Sequence, residues 1–149
     1  MRVLIQRVSK ASVRVDAKVV GSINHGYMIL LGIGQNDSQE DISWLVRKII
    51  NLRIFSDEEG KMNRSIQDVH GSILLISQFT LYASTKKGNR PSYINAAVPD
   101  MANRMYEEFG QQLSLTGIPV ETGIFAADMK VSLINDGPVT IMMDSKNKE

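Results

Sequence analysis

The chain has 149 residues, of which 43% are hydrophobic and 22% are charged, and this composition fits one globular domain spanning residues 1–149. It contains no cysteine, so disulfides, thiolate metal ligands and a cysteine nucleophile are excluded together. The two histidines, His25 and His70, are far apart and lack ligand-like spacing. A zinc site of His and Cys is therefore disfavoured, whereas a carboxylate-only magnesium site stays open. We name no metal ligand among the site residues and predict no cofactor.

Charge and hydropathy limit the partners. The net charge is +1, whereas a protein that holds nucleic acid by a broad phosphate footprint is usually more basic. Any contact with nucleic acid is therefore expected to be small and local. No apolar run is long enough to span a membrane, and the first residues alternate charged with apolar positions, unlike a signal peptide. We expect a cytoplasmic protein without a membrane partner.

The first third of the chain predicts strands. Apolar residues alternate with polar ones from Val3 to Val15, as in strands with one buried face. Asp16 and Ala17 then suit a hairpin connection into residues 18–21. Residues 27–33 form a continuous apolar run, which predicts a strand buried on both faces.

Two helices follow. Asp37 or Ser38 can cap the first, and Glu40 has capping-box spacing from Asp37. A second central strand is predicted at 72–76. Pro99 is a favoured first-turn residue and predicts the start of the second helix, which Gly117 would end.

The last third predicts strands at 119–121, 129–134 and 139–143, with a bend at 135–138 between the last two. These elements indicate an α+β domain, a mainly antiparallel β-barrel-like sheet with two outer helices. The polar tail, residues 144–149, is expected to fray.

Residues 77–81 cluster two hydroxyls and an amide where the second central strand ends, and strand ends deliver side chains to clefts. The ordinary interpretation is a strand exit whose hydroxyls bind nearby backbone. A nucleophilic Ser77 or Thr80 would need a base beside it. His70 is expected at the opposite end of the same strand, about 20 Å away, so a Ser-His-Asp arrangement is disfavoured.

Two further segments are open to two interpretations each. In the first interpretation, residues 135–140 form a hairpin turn, since Asp-Gly is a common turn pair. In the second, Gly137-Pro138 brings rigid backbone carbonyls close to a ligand amine. The basic stretch with Lys86, Lys87 and Arg90 is a solvated loop, or it contacts phosphates near the end of a nucleic acid.

Taken together, these segments resemble the D-aminoacyl-tRNA deacylase (D-tyrosyl-tRNA deacylase) family along nearly the whole chain. Residues 77–81 match its first signature and residues 135–140 its second, in the correct order and at the expected separation. Weaker similarities lie at residues 5–13, 53–63 and 122–129. Residues 88–93 resemble a middle motif that usually ends in phenylalanine, so Tyr93 is a mild departure.

The resemblance implies a homodimeric enzyme that hydrolyses the ester of D-aminoacyl-tRNA, and of glycyl-tRNA, at two interface sites, and so performs translation quality control by chiral proofreading. Gly137-Pro138 with a cis bond would reach from one subunit into the partner's pocket, with Arg7 holding it in place. The catalytic residues carried over are Ser77, Gln78, Phe79 and Thr80, which would line that pocket, and Met129 is carried over as a substrate-binding residue. The acceptor end of tRNA is the implied substrate, and the 2′-hydroxyl of its terminal ribose would assist catalysis.

Three rival functions remain at this point. A non-catalytic RNA-binding module would use the 86–90 loop with Tyr82 and Tyr93, although no RNA-binding motif is present. A small acyl hydrolase would use Thr80 or Ser77 as its nucleophile. A purely structural dimer module fits the two signatures least well.

Overall fold

The protein, described over residues 1–148 by a computed structural model, has a six-stranded main sheet, a small two-stranded sheet and two helices. The main sheet has the order β2-β1-β3-β6-β7, and β8 pairs with β1. Because β2 also contacts β6 and β7, the sheet curls into a nearly closed barrel. The elements are β1 (Arg2–Val15), β2 (Lys18–Ile23), β3 (Gly26–Gly32), α1 (Gln39–Asn51), β4 (Phe55–Ser56), β5 (Met62–Arg64), β6 (Ser72–Ser77), a 3₁₀ turn (Phe79–Tyr82), α2 (Pro99–Ser114), β7 (Val120–Thr122) and β8 (Lys130–Asp144).

The predicted α+β class with two helices is confirmed, but the sheet is mixed. β1 pairs antiparallel with β2, β3 and β8, whereas β3–β6 and β6–β7 are parallel. Parallel neighbours need a crossover connection, and each helix supplies one: α1 lies between β3 and β6, and α2 between β6 and β7. The expectation of a sheet built from antiparallel strands is therefore wrong at this side of the barrel.

Two apolar clusters lie on the two faces of the sheet. The larger one packs the sheet against α1 and α2 and includes Tyr27, Leu31 and Phe109. The smaller one fills the barrel interior and includes Met28 and Leu74. Strand β3 contributes to both clusters, which confirms the prediction that residues 27–33 are buried on both faces.

The helix boundaries follow the local signals in part. Ser38 caps α1, and the reciprocal partner of its capping box is Asp41, whose carboxylate accepts the Ser38 N–H at 2.7 Å. The pairing of Asp37 with Glu40 is therefore wrong by one residue. Pro99 begins α2 as predicted, and Gly117, at φ +86°, follows its last turn.

The two predicted C-terminal strands are one continuous strand, β8. Its register with β1 moves from Gln6↔Thr140 to Val8↔Asn135, so residues 136–139 bulge out of the ladder. The predicted bend is thus a bulge within one strand, because β1 keeps pairing with β8 on both sides of it.

The tail is docked as far as residue 148, and the predicted fraying is wrong there. Ser145 is buried, and its N–H donates to the Met1 carbonyl at 2.9 Å. Lys146 forms an ion pair of 2.7 Å with Asp41 on α1. Residue 149, the last of the predicted tail, lies outside the described residues. In residues 1–148 no helix has the length and apolar character that crossing a membrane requires.

Candidate active site

A pocket of about 670 Å³ opens where β6 ends, and most of its lining is apolar. This volume is within the range of pockets that bind small molecules. β6 contributes Ser77 to the lining, followed by Gln78 and then Phe79 from the 3₁₀ turn. The opposite wall comes from the segment before β8, which includes Met129. Of the predicted segment 77–81, residues 77–79 line the cleft, whereas Thr80 and Leu81 do not.

The turn that follows β6 is held by close backbone packing on β3. The Gln78 N–H donates to the Leu31 carbonyl at 2.8 Å, and the Gln78 side-chain amide donates to the Thr80 hydroxyl at 2.5 Å. A Cβ at Gly32 would lie 3.0 Å from the Leu81 Cβ and 3.1 Å from the Gln78 carbonyl oxygen. Glycine at this position lets the turn sit directly on the strand.

Arg2 supports the same turn from its other side and was missed from the sequence. Its guanidinium donates to the Leu81 carbonyl at 2.9 Å and lies 4.6 Å from the centre of the Tyr82 ring. It also forms an ion pair of 2.8 Å with Asp144 at the end of β8. A basic residue at the start of a strand carries no sequence signal for such a role.

The Met129 side chain, which lines the pocket, packs tightly on Gly123. A Cβ at Gly123 would lie 2.5 Å from the Met129 sulfur, so that side chain rests on the bare glycine. Nearby, the buried Tyr106 hydroxyl donates to the Leu75 carbonyl at 2.8 Å, and burial raises the pKa of Tyr106 to about 12. Its phenol is therefore neutral at physiological pH and acts as a packing and hydrogen-bonding group.

The pocket lining that the structure describes contains no histidine and no lysine. Asp128 is the one charged residue in the described lining, and it forms an exposed ion pair of 2.9 Å with Lys130. His70 precedes the start of β6, whereas Ser77 is its last residue, so the prediction that the two lie at opposite ends of the strand is confirmed. Across residues 1–148, no group of three or more His, Cys, Asp or Glu side chains is arranged to hold a metal ion.

Gly137-Pro138 lies in the bulge of β8, is joined by a cis peptide bond and is exposed. Arg7 grips the bulge by donating from Nε to the Asp136 carbonyl at 3.1 Å. The Asn135 amide closes it by donating to the Arg7 and Val139 carbonyls, both at 2.9 Å.

The predicted site residues are thus only partly brought together within one chain. Ser77, Gln78, Phe79 and Met129 line the pocket, and Thr80 lies beside it through its contact with Gln78. By contrast, Arg7 and Gly137-Pro138 are absent from the lining.

The basic stretch forms an exposed loop next to the pocket. Reciprocal backbone hydrogen bonds of 2.8 and 2.9 Å between Ser84 and Ser92 close its base. Lys86, Lys87 and Arg90 are exposed on the loop, and none of them forms an ion pair with another residue of 1–148.

A barrel-like mixed sheet with a mostly apolar pocket, lined at the end of β6 by hydroxyl and amide side chains, defines a small α+β protein with a pocket of ligand size. Residues 4–144 match the model of the D-Tyr-tRNA(Tyr) deacylase family. The chain therefore belongs to this family and is an ester hydrolase that acts on D-aminoacyl-tRNA.

Two solved structures share the fold. One, described as "c-Myc DNA Unwinding Element Binding Protein", is 41% identical with a TM-score of 0.92, covering 97% of this chain and 98% of the other. The second, described as "Structural Analysis of a probable eukaryotic D-amino acid tRNA deacylase", is 18% identical with a TM-score of 0.80, covering 95% and 97% of the two chains.

Proposed function

We propose that the pocket at the end of β6 binds the aminoacylated terminal nucleoside of tRNA and that the ester is hydrolysed beside residues 77–80. The observation that carries this proposal is the pocket itself: about 670 Å³, mostly apolar, and lined at one end by Ser77, Gln78 and Phe79. An aminoacyl nucleoside has the size and mixed polarity that such pockets accept.

In this mechanism the water molecule that attacks the ester is activated by the substrate and not by a side-chain base of the protein. The 2′-hydroxyl of the terminal ribose assists attack on the ester, and orientation within the pocket contributes several kcal/mol. The Phe79 and Thr80 N–H groups head the 3₁₀ turn and donate to no residue of 1–148. They are therefore available to stabilise the developing oxyanion.

A substrate lacking the hydroxyl tests this step. D-Tyr-tRNA ending in 2′-deoxyadenosine, with the amino acid on the 3′-oxygen, should be hydrolysed at least ~100-fold more slowly than the ribose form, while its binding is unchanged. Equal hydrolysis rates for the two substrates would contradict 2′-hydroxyl assistance.

We further propose that the active form is a homodimer in which Gly137-Pro138 of one copy completes the pocket of the other. Three features support this. The element is exposed and is not part of its own chain's pocket. β8 pairs with β1 alone among the described strands, so one edge of a long strand is open for pairing. Ile134 and Met142, both on β8, are exposed large apolar side chains.

Selection for D-amino acids follows from fixing the amine by backbone carbonyls of Gly137 and Pro138. Exchanging two substituents at Cα would drive an L side chain into main chain, which cannot move aside, whereas glycine has no side chain to collide. The test compares D-Tyr-, L-Tyr- and glycyl-tRNA under multiple turnover. We expect hydrolysis of D-Tyr-tRNA and glycyl-tRNA but not of L-Tyr-tRNA. Similar rates for D-Tyr- and L-Tyr-tRNA would refute the proposal.

The exposed cations Lys86, Lys87 and Arg90 are proposed to contact phosphates of the acceptor end. A second candidate function for the same loop is DNA binding, because a 41% identical protein is described as binding a DNA unwinding element. The net charge of +1 argues against a broad duplex footprint. Fluorescence anisotropy with an A·T-rich DNA duplex and with an acceptor-stem RNA separates the two functions. Tighter binding of the DNA duplex than of the RNA would favour DNA binding.

A further inference from the structure

Two aromatic side chains at the pocket mouth are exposed in a way that the other Tyr and Phe residues are not. Phe79 is 55% exposed and Tyr93 is 36% exposed, whereas Phe55, Phe109, Tyr27 and Tyr106 are buried. Their ring centroids are 4.9 Å apart in an edge-to-face arrangement. Both residues line the pocket and are also exposed, so the pair lies on the solvent-facing side of the pocket lining.

Tyr93 also differs from the other tyrosines in its hydroxyl. The hydroxyls of Tyr27, Tyr82 and Tyr106 each donate to a protein oxygen. The Tyr93 hydroxyl makes no hydrogen bond to another residue of 1–148, and within these residues Phe79 is the one aromatic partner of its ring. No hydrogen bond within residues 1–148 accounts for the Tyr93 hydroxyl, and 36% of the residue stays exposed beside the pocket.

Geometry leaves the pair open to a third ring. In an edge-to-face pair, an edge of one ring meets a face of the other, so each ring keeps at least one face for a further π-system. Nucleobases stack on such exposed rings without sequence preference, because every base has a π-face.

The chain segment that carries the pair is basic, which favours a polyanion. No Asp or Glu occurs from residue 69 to residue 99, whereas Lys86, Lys87 and Arg90 all lie in this stretch. Tyr93 directly follows Ser92, which closes the base of the basic loop by its hydrogen bonds with Ser84. The aromatic pair is therefore at the base of a loop whose cations are free of ion pairs within residues 1–148. Aromatic platforms beside cations are how proteins bind single-stranded nucleic acid.

We propose that Phe79 and Tyr93 form a stacking site for the unpaired base that precedes the terminal nucleoside, with the cations of the 86–90 loop on the adjoining phosphates. This inference rests on the proposed function, since it assumes that the terminal nucleoside occupies the pocket. The RNA of the substrate leaves the pocket past the aromatic pair, and the base that precedes the terminal nucleoside stacks there. The RNA then continues along the 86–90 loop.

Kinetics on two substrates test the site. Tyr93→Leu removes the ring and keeps an apolar side chain, Tyr93→Phe keeps the ring, and Ile94→Ala is the matched control, since Ile94 is 74% exposed and outside the pocket lining. For Tyr93→Leu, the loss of kcat/KM on D-Tyr-tRNA should exceed the loss on D-tyrosyl-adenosine by roughly ten-fold. Tyr93→Phe and Ile94→Ala should show no such difference. Equal losses of Tyr93→Leu on both substrates would overturn the proposal.

A binding measurement separates this inference from the catalytic proposal. The probe is a trinucleotide that ends in an amide-linked D-tyrosyl adenosine and carries 2-aminopurine at the penultimate position. Stacking should quench its fluorescence with the wild-type protein and with Tyr93→Phe, but not with Tyr93→Leu. Undiminished quenching with Tyr93→Leu would overturn the stacking site even if the enzyme hydrolyses D-Tyr-tRNA. Dissociation of the protein into smaller species by Tyr93→Leu, seen by light scattering, would instead make the pair a subunit contact.

Discussion

A mixed dimer built from two inactive subunits distinguishes a shared active site from a self-contained one. One subunit carries Gly137→Ala and the other carries Gln78→Ala. If Gly137-Pro138 completes the partner's pocket, the mixed dimer has one intact site and one doubly altered site. If the element served its own chain, both sites of the mixed dimer would be defective.

The effect of Gly137→Ala can be estimated from local geometry. Gly137 has φ +128°, where L residues are strained, and a Cβ there would lie 2.8 Å from the Val139 Cγ2 and 3.0 Å from the Arg7 Nη2. Backbone strain of this kind costs about 1–3 kcal/mol, which lowers Tm by about 2–12 °C in a domain of this size. The fold survives, but a carbonyl moved by about 1 Å lowers activity by roughly 100-fold.

The assay uses two affinity tags on co-expressed subunits, so that tandem purification yields mixed dimers alone. Each parent dimer should hydrolyse D-Tyr-tRNA about 100-fold more slowly than wild type. The mixed dimer should recover about half of the wild-type kcat, because one of its two sites is intact. A mixed dimer as inactive as its parents, or failure to recover any doubly tagged species, would refute the cross-subunit site.

Further predictions concern the residues around this site. Thr80→Ala should lower kcat about five-fold, because it removes the acceptor of the side-chain hydrogen bond from Gln78. Trapping of an acyl-enzyme on the wild-type protein, together with total loss of activity in the variant, would instead make Thr80 a nucleophile. Arg2→Ala should lower the free energy of unfolding by about 1–2 kcal/mol in urea titrations. It should also lower kcat/KM, because it releases the 3₁₀ turn that follows β6. Unchanged kinetics would exclude a positioning role for Arg2. Burial opposes the ionisation of Asp41, but its hydrogen bonds outweigh this and hold its pKa below the ordinary 3.8. The ionised Asp41 therefore stabilises the fold above about pH 4 and loses this contribution as the pH falls further. Asp41→Asn should accordingly lower Tm at pH 7, and the difference from wild type should shrink steadily as the pH falls below about 4. Lys86→Ala with Lys87→Ala should reduce the salt dependence of KM for D-Tyr-tRNA by a slope of about 1.4, and an unchanged slope would remove these lysines from the phosphate contact.

The sequence was informative where a local pattern determines structure. Pro99 marked the start of α2, and the apolar run at 27–33 marked a strand buried on both faces. The parallel pairing of β3 with β6 was missed, although two continuous apolar runs separated by a helix are typical of parallel strands. Asp41 took the capping-box position because Ser38, and not Asp37, is the N-cap residue of α1.

The candidate site was predictable only to the extent that its residues are contiguous. Ser77, Gln78 and Phe79 were found because one strand end delivers all three. Arg2 was missed because its partners lie in the active-site turn and at the end of β8, far away in the sequence. Interactions of this kind depend on tertiary contacts, which leave no spacing pattern in the chain.

The contact between Gly123 and Met129 has a practical consequence for engineering the enzyme's substrate range. A methyl group added at Gly123 would push the thioether of Met129 away from its seat, and Met129 lines the cavity. Because the thioether is flexible, Gly123→Ala would make the chamber smaller without replacing any residue that faces the ligand. For the proposed substrate pocket, residue 123 is thus a place from which the preference for large or small substituents can be tuned while residues 77–80 stay as they are.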